Sequence, residues 1–138
     1  MISYSVELNF EFSPQNCIKN ITEHVRMCLI ESQIQEGLVI VSAQHTTFSI
    51  FINDDEQGLI NDIQRILSDL APSEPSTRYQ HNMNEDDAHA HLRQCLLGRS
   101  EIVSVTAGKL DLGLWEQIFC ISFHGNRTRK IKIKIIGE

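Results

Sequence analysis

An α+β fold, strands with two to three helices packed on them, is what this 138-residue sequence predicts, and three observations predict it. Residues 2–12 alternate apolar and polar side chains with a period of two, the mark of a half-buried strand. Three later stretches carry apolar residues at helical spacing. Residues 101–136 then return to strand-like runs broken by glycine-containing turns. A chain of this length can bury a core of its own, so residues 1–138 are read as one domain.

In chain order, Ile2, Tyr4, Val6, Leu8, Phe10 and Phe12 share one face of the first strand. Ser13-Pro14 has the form of a helix start, a capping hydroxyl before a proline. Ile18, Ile21, Val25, Cys28 and Leu29 continue it as a helix that Gly37 ends, with His24 just off the apolar stripe. Leu38-Val39-Ile40-Val41 reads as a strand buried on both faces, and Phe48 to Asn53 as a half-buried one. Between them stand Gln44-His45-Thr46-Thr47, without the Gly or Pro of an ordinary turn. Extended, this stretch lines His45, Thr47, Ser49 and Asn53 along one side, which suits a polar cleft or open water.

Asp54-Asp55-Glu56 sit where a helix dipole favours acids, ahead of Leu59, Ile60, Ile63, Ile66, Leu67 and Leu70. Pro72 and Pro75 end that helix. Residues 73–87 follow as a long polar loop containing Tyr79, His81, Asn82, Asp86 and Asp87, and loops of that length are usually functional or disordered. Asp87 is placed to cap a helix over residues 88–97 that Gly98 ends. Spacing puts Ala88, His91, Leu92 and Cys95 on its inner face and His89 outside with Arg93. Strands over 101–106, 109–114, 115–124 and 127–136 complete the chain. In the last, the lysines at 130, 132 and 134 suit the solvated face of an edge strand. Arg127 and Arg129 extend the row of isoleucines on the other side, so each guanidinium needs a carboxylate or a bound phosphate.

Composition narrows the function. Hydrophobic residues at 41% and charged residues at 22% suit a soluble domain. A formal charge of −6 argues against nucleic acid and anionic membrane as partners. Residues 1–12 have no basic, apolar signal-peptide pattern, and no run reaches the roughly 20 apolar residues of a membrane span. The expectation is a cytoplasmic chain whose Cys17, Cys28, Cys95 and Cys120 are reduced core residues. His45, His81 and His91, with Asp86 and Asp87, have the residue types of a divalent-metal site. No nucleophile triad, phosphate loop or dinucleotide fingerprint is present.

Several motifs in fixed order add to this: Gln44-His45-Thr46-Thr47 followed by Asn53, Tyr79-Gln80-His81-Asn82, Asp86-Asp87 with His91-Leu92, Leu97-Gly98-Arg99-Ser100, and Gly108-Lys109-Leu110 with Gly113-Leu114-Trp115. On these the chain resembles the YjbQ-like family, small cytoplasmic proteins provisionally labelled secondary thiamine-phosphate synthases. The resemblance implies a β-sandwich-like mixed sheet with packed helices, a homotrimer with clefts near subunit contacts, and a small phosphorylated ligand. It implies a divalent cation, Mg or Zn, held by His45, His81, His91, Asp86 and Asp87, the histidines doubling as catalytic groups. Thr46, Thr47, Arg127 and Arg129 would then face phosphate. The alternative is a non-catalytic trimer that binds a metal or small anion in a regulatory role.

The chain departs from the family pattern at Leu114, Glu116 and Gln117, where the family usually shows Thr, Gln and Gly. Ser122 replaces a usual acid, and His124 and Asn126 stand in a usual Asp-Gly-Pro-Arg. Those changes fall on the substrate side. The dedicated thiamine-phosphate synthases resemble TIM barrels of roughly 250 residues, so this chain is not one of them.

Overall fold

The chain runs β1 (Ile2–Phe12), β2 (Ile18–Asn20), α1 (Thr22–Ser32), β3 (Gly37–Ser42), β4 (Phe48–Asn53), α2 (Gln57–Leu70), α3 (Ala88–Leu97), β5 (Ser100–Thr106), β6 (Lys109–Leu110), β7 (Gln117–Ser122) and β8 (Arg127–Gly137). The computed structural model describes residues 1–138. Alternation builds the first layer, a five-stranded antiparallel sheet of order β1-β8-β3-β5-β6. Its inner face carries Val39, Val41, Val103, Ile131, Ile133 and Ile135. Against that face lie α1 and a second antiparallel sheet of order β2-β7-β4, contributing Val25 and Leu29, and Phe48, Ile50 and Ile118. The small sheet's other face carries Phe51, Phe119 and Ile121, covered by Ile60 of α2, with Leu97 of α3 beside them. The result is an α+β sandwich of two antiparallel sheets and three helices.

This layering explains why several sequence expectations shift. β4 is buried on both faces over Phe48–Phe51, because it lies between the first sheet and the helices. β3 is buried on one face only, with Leu38 and Ile40 turned away from the core. Ser13-Pro14 starts no helix. Ser13 forms a tight turn with Asn16, whose backbone N–H donates to the Ser13 hydroxyl at 3.1 Å, and Ile18 then joins β7 as part of β2. The helix begins at Thr22, where Asn20 Oδ1 accepts from the Thr22 backbone N–H at 3.0 Å and its hydroxyl at 2.7 Å. It ends at Gln33, which adopts the left-handed conformation, four residues before Gly37.

β8 is not an edge strand. It pairs with β1 along its whole length and with β3 on its other side, so the lysine row lies across the middle of the sheet's outer face. Residues 109–114 form only the two-residue β6. The 73–87 loop folds into two short 3-10 turns, braced by the Tyr79 hydroxyl donating to the Pro72 carbonyl at 2.6 Å and Asn82 Nδ2 donating to the Ser76 carbonyl at 2.9 Å. No helix is long and apolar enough to cross a membrane.

Candidate metal and phosphate site on one flank of α3

Each residue of an α-helix turns about 100°, and the buried stripe of α3 fixes where its polar residues point. That stripe runs through Ala90 and Leu97, not through His91 and Cys95; Leu92 and Cys95 are exposed. Measured from Ala90, His91, Gln94 and Asp87 fall on one flank, and His89, Arg93 and Asp86 on the other. The two histidines expected to face in and out instead straddle the buried face, each partly covered.

On the His91 flank, Asp87 does not cap α3 with its side chain. Asn82 takes that role, its Oδ1 accepting from the Ala88 backbone N–H at 3.1 Å. The carboxylate is thereby free to span two imidazoles, with Oδ1 2.9 Å from His81 Nε2 and Oδ2 3.2 Å from His91 Nε2. The rings of His81 and His91 meet edge to face at 4.8 Å between centroids. One ligand atom from each of His81, Asp87 and His91 lies within 4.8 Å of the others. Burial pushes the Asp87 carboxyl up, but hydrogen bonding from His81 and the charges of His91 and His81 outweigh it and hold the group below its ordinary range. Two imidazoles and a carboxylate are a donor set that first-row divalent cations accept.

The other predicted residues divide. Gln94, one turn beyond His91 on the same flank, donates to the His45 backbone carbonyl at 3.3 Å and ties α3 to the 44–47 turn. That turn exists without glycine because Gln44 itself takes a positive φ of 55°. Gln44, His45, Thr46, Gln94 and Arg99 line a polar cleft there of about 330 Å³. His45 lies outside the three-residue cluster, and its Nε2 accepts from the Lys130 backbone N–H at 3.4 Å. Burial, with the nearby Arg129 charge, keeps its imidazole below the ordinary value. Asp86 is also outside the cluster, its carboxylate 3.6 Å from His124.

Arg129 is buried, 9% exposed, and no carboxylate meets it. Its Nη2 donates to the Thr47 hydroxyl at 2.7 Å and its Nε to the Ser122 hydroxyl at 3.4 Å, while the guanidinium lies over the Phe48 ring. Both side-chain partners of this cation are therefore hydroxyls. Arg127, expected to point inward as well, is exposed. Its register position falls opposite Phe12, at the first residue of β8.

The family model described as "UPF0047 protein YjbQ-like" matches residues 6–138. The chain belongs to the YjbQ-like (UPF0047) family. Among its YjbQ-like relatives, a UPF0047 protein of Methanothermobacter thermautotrophicus is 37% identical over 98% of this chain and 93% of its own. Another, from Archaeoglobus fulgidus, is 38% identical over 95% of this chain and all of its own. The crystal structure of a YbjQ-like protein of unknown function from Sulfolobus solfataricus superposes with a TM-score of 0.93 at 33% identity, covering 99% of both chains. A hypothetical protein from Aeropyrum pernix gives a TM-score of 0.90 at 27% identity over 98% of this chain and 99% of its own.

Spacing alone missed Gln94, Arg93 and His124. The signal for the first two was their place on opposite sides of the Ala90–Leu97 stripe, which a helical wheel centred on the alanine displays.

Proposed function

We propose that this protein is a metal-assisted, phosphate-handling enzyme of thiamine-phosphate synthase type, working at the His91 flank of α3. The observation that carries the reading is the convergence of His81, Asp87 and His91 from a loop and a helix onto one point. A divalent cation held there would supply positive charge to a leaving diphosphate, chemistry that asks little covalent help of a protein. Asp87 orients both imidazoles through its two oxygens. His45 lines the polar cleft, where burial and the Arg129 charge hold its imidazole below the ordinary value and its second ring nitrogen is open to substrate. Arg129 and the Thr47 hydroxyl offer donors to substrate phosphate, and Thr46 lines the approach. Arg127 at the exposed end of β8 adds charge for steering.

The test is twofold. Metal analysis of protein purified without chelator is expected to give one equivalent for the wild type and none for Asp87→Ala. Turnover of a pyrimidine diphosphate and a thiazole phosphate, with release of pyrophosphate, is expected for the wild type and absent in His45→Ala and His91→Ala. Product formation that persists in both variants overturns the enzyme reading.

The second reading, a non-catalytic metal- or anion-binding protein, is fitted equally well by Glu116, Gln117 and Ser122, the residues on which the resemblance to the family pattern breaks. It predicts stoichiometric metal with no turnover. Either version is read as a homotrimer in the cytoplasm. The outer face of the first sheet supports assembly: Ile40 lies opposite Ile102, which is 62% exposed, and Leu38 opposite Ile136, an uncovered apolar row. Light scattering on the wild type is expected to give three times the chain mass, and Ile102→Glu a monomer.

A further inference from the structure

The other flank of α3 closes over a separate cavity of about 340 Å³ between α2, α3 and the end of β7. We propose that this cavity is a second ligand site, specific for a phosphate monoester and independent of any metal. Arg93, His89 and His124 line it, and no Asp or Glu does, in a chain whose formal charge is −6. Arg93 donates its Nε to the Ala71 carbonyl at 3.0 Å and has no carboxylate partner, which leaves its terminal nitrogens to the cavity. His89 Nδ1 is buried with no hydrogen-bond partner at all. His89 meets the cavity with the rest of its ring. The His89 and His124 rings stand edge to face, 6.4 Å between centroids. The nearest acid, Asp86, reaches only His124, and its side chain is 82% exposed.

The chemistry selects the ligand. Three separate donor groups match the three terminal oxygens of a phosphate monoester, whereas a carboxylate offers two. Leu67, Ile121 and Phe123 form an apolar wall opposite, suited to the organic part of such an ester. Gln64 is already engaged, its Nε2 directed at Cys17 Sγ at 3.2 Å, and burial pushes that thiol up, so Cys17 is a neutral wall and not a nucleophile.

Histidine-ring NMR in the presence of EDTA, with phenyl phosphate as the probe, tests the site. The His89 and His124 signals are expected to move together along one binding curve, while those of His81 and His91 stay in place. Arg93→Gln is expected to weaken the affinity at least tenfold. Because Arg93 also braces the Ala71 carbonyl, His89→Phe serves as a second variant with the same expected loss. Benzoate is expected to bind at least tenfold more weakly than phenyl phosphate. Unmoved His89 and His124 signals, wild-type affinity in both variants, or equal binding of benzoate would each overturn the proposal. None of these outcomes depends on metal content or turnover, so failure here and failure at the His81–Asp87–His91 site are separable.

Discussion

Thr22 shows how one hydroxyl can hold two elements together. Its Oγ1 donates to Asn20 and accepts from the buried backbone N–H of Ile118 at 2.8 Å, joining the start of α1 to β7. Thr22→Val keeps the shape and orphans that N–H, so urea unfolding should show a loss of roughly 1–3 kcal/mol. His45 gives a pH-dependent counterpart. Its folded value lies below the unfolded one of about 6.5, so the folded state binds fewer protons than the unfolded chain. The stability this contributes is present above that pH and is lost as pH falls through the depressed folded value. Thermal unfolding of wild type and His45→Asn should therefore differ in slope on the acid side: the melting temperature of the wild type falls more between about pH 7 and pH 5. Cysteine reactivity follows exposure in the same way. Burial pushes Cys120 up to about 12, and Cys95 is exposed, so a thiol reagent should label Cys95 first and Cys120 only on unfolding.

Elements were legible where one period ruled the whole length and obscured where an element serves two layers. β1 and α3 have the bounds that alternation and spacing predict, and the turn at Ala107-Gly108 sits where expected. β4 was read as half-buried because Ser49 interrupts its apolar run, yet that serine is fully buried between two seams. Ile50→Ala at the centre of β4 should cost about 2–5 kcal/mol in chemical denaturation, the range for truncating a fully buried side chain. The face of α3 was misjudged for a related reason: the stripe that packs is marked by Ala90, and alanine is a weak marker of a buried stripe. The histidines and aspartates were visible as residue types. Which of them meet was not, because the pairing depends on Asn82 relieving Asp87 of its capping role. The reading of Arg129 as an inward cation needing an anion rested on strand alternation alone, and the structure buries its side chain.

At the scale of the molecule, one close approach closes the sandwich. Gly37 and Gly137 face each other across β3 and β8, and a Cβ on either would collide with the partner strand's backbone. Next to them, the backbone N–H groups of Gln35 and Glu36 both donate to the Glu138 carbonyl, at 2.7 and 2.9 Å. Gly37→Ala should therefore pry that end of the sheet apart, read as faster amide exchange in β3 and β8 than in β7.

Because β8 follows every other strand in the chain and lies between β1 and β3, the strands β3, β5 and β6 can pair before it is made, but β1 cannot join the large sheet. The first strand must wait for a neighbour made last, its apolar side bare throughout translation, so nascent chains arrested before Arg127 should remain open to protease and bound by holding chaperones.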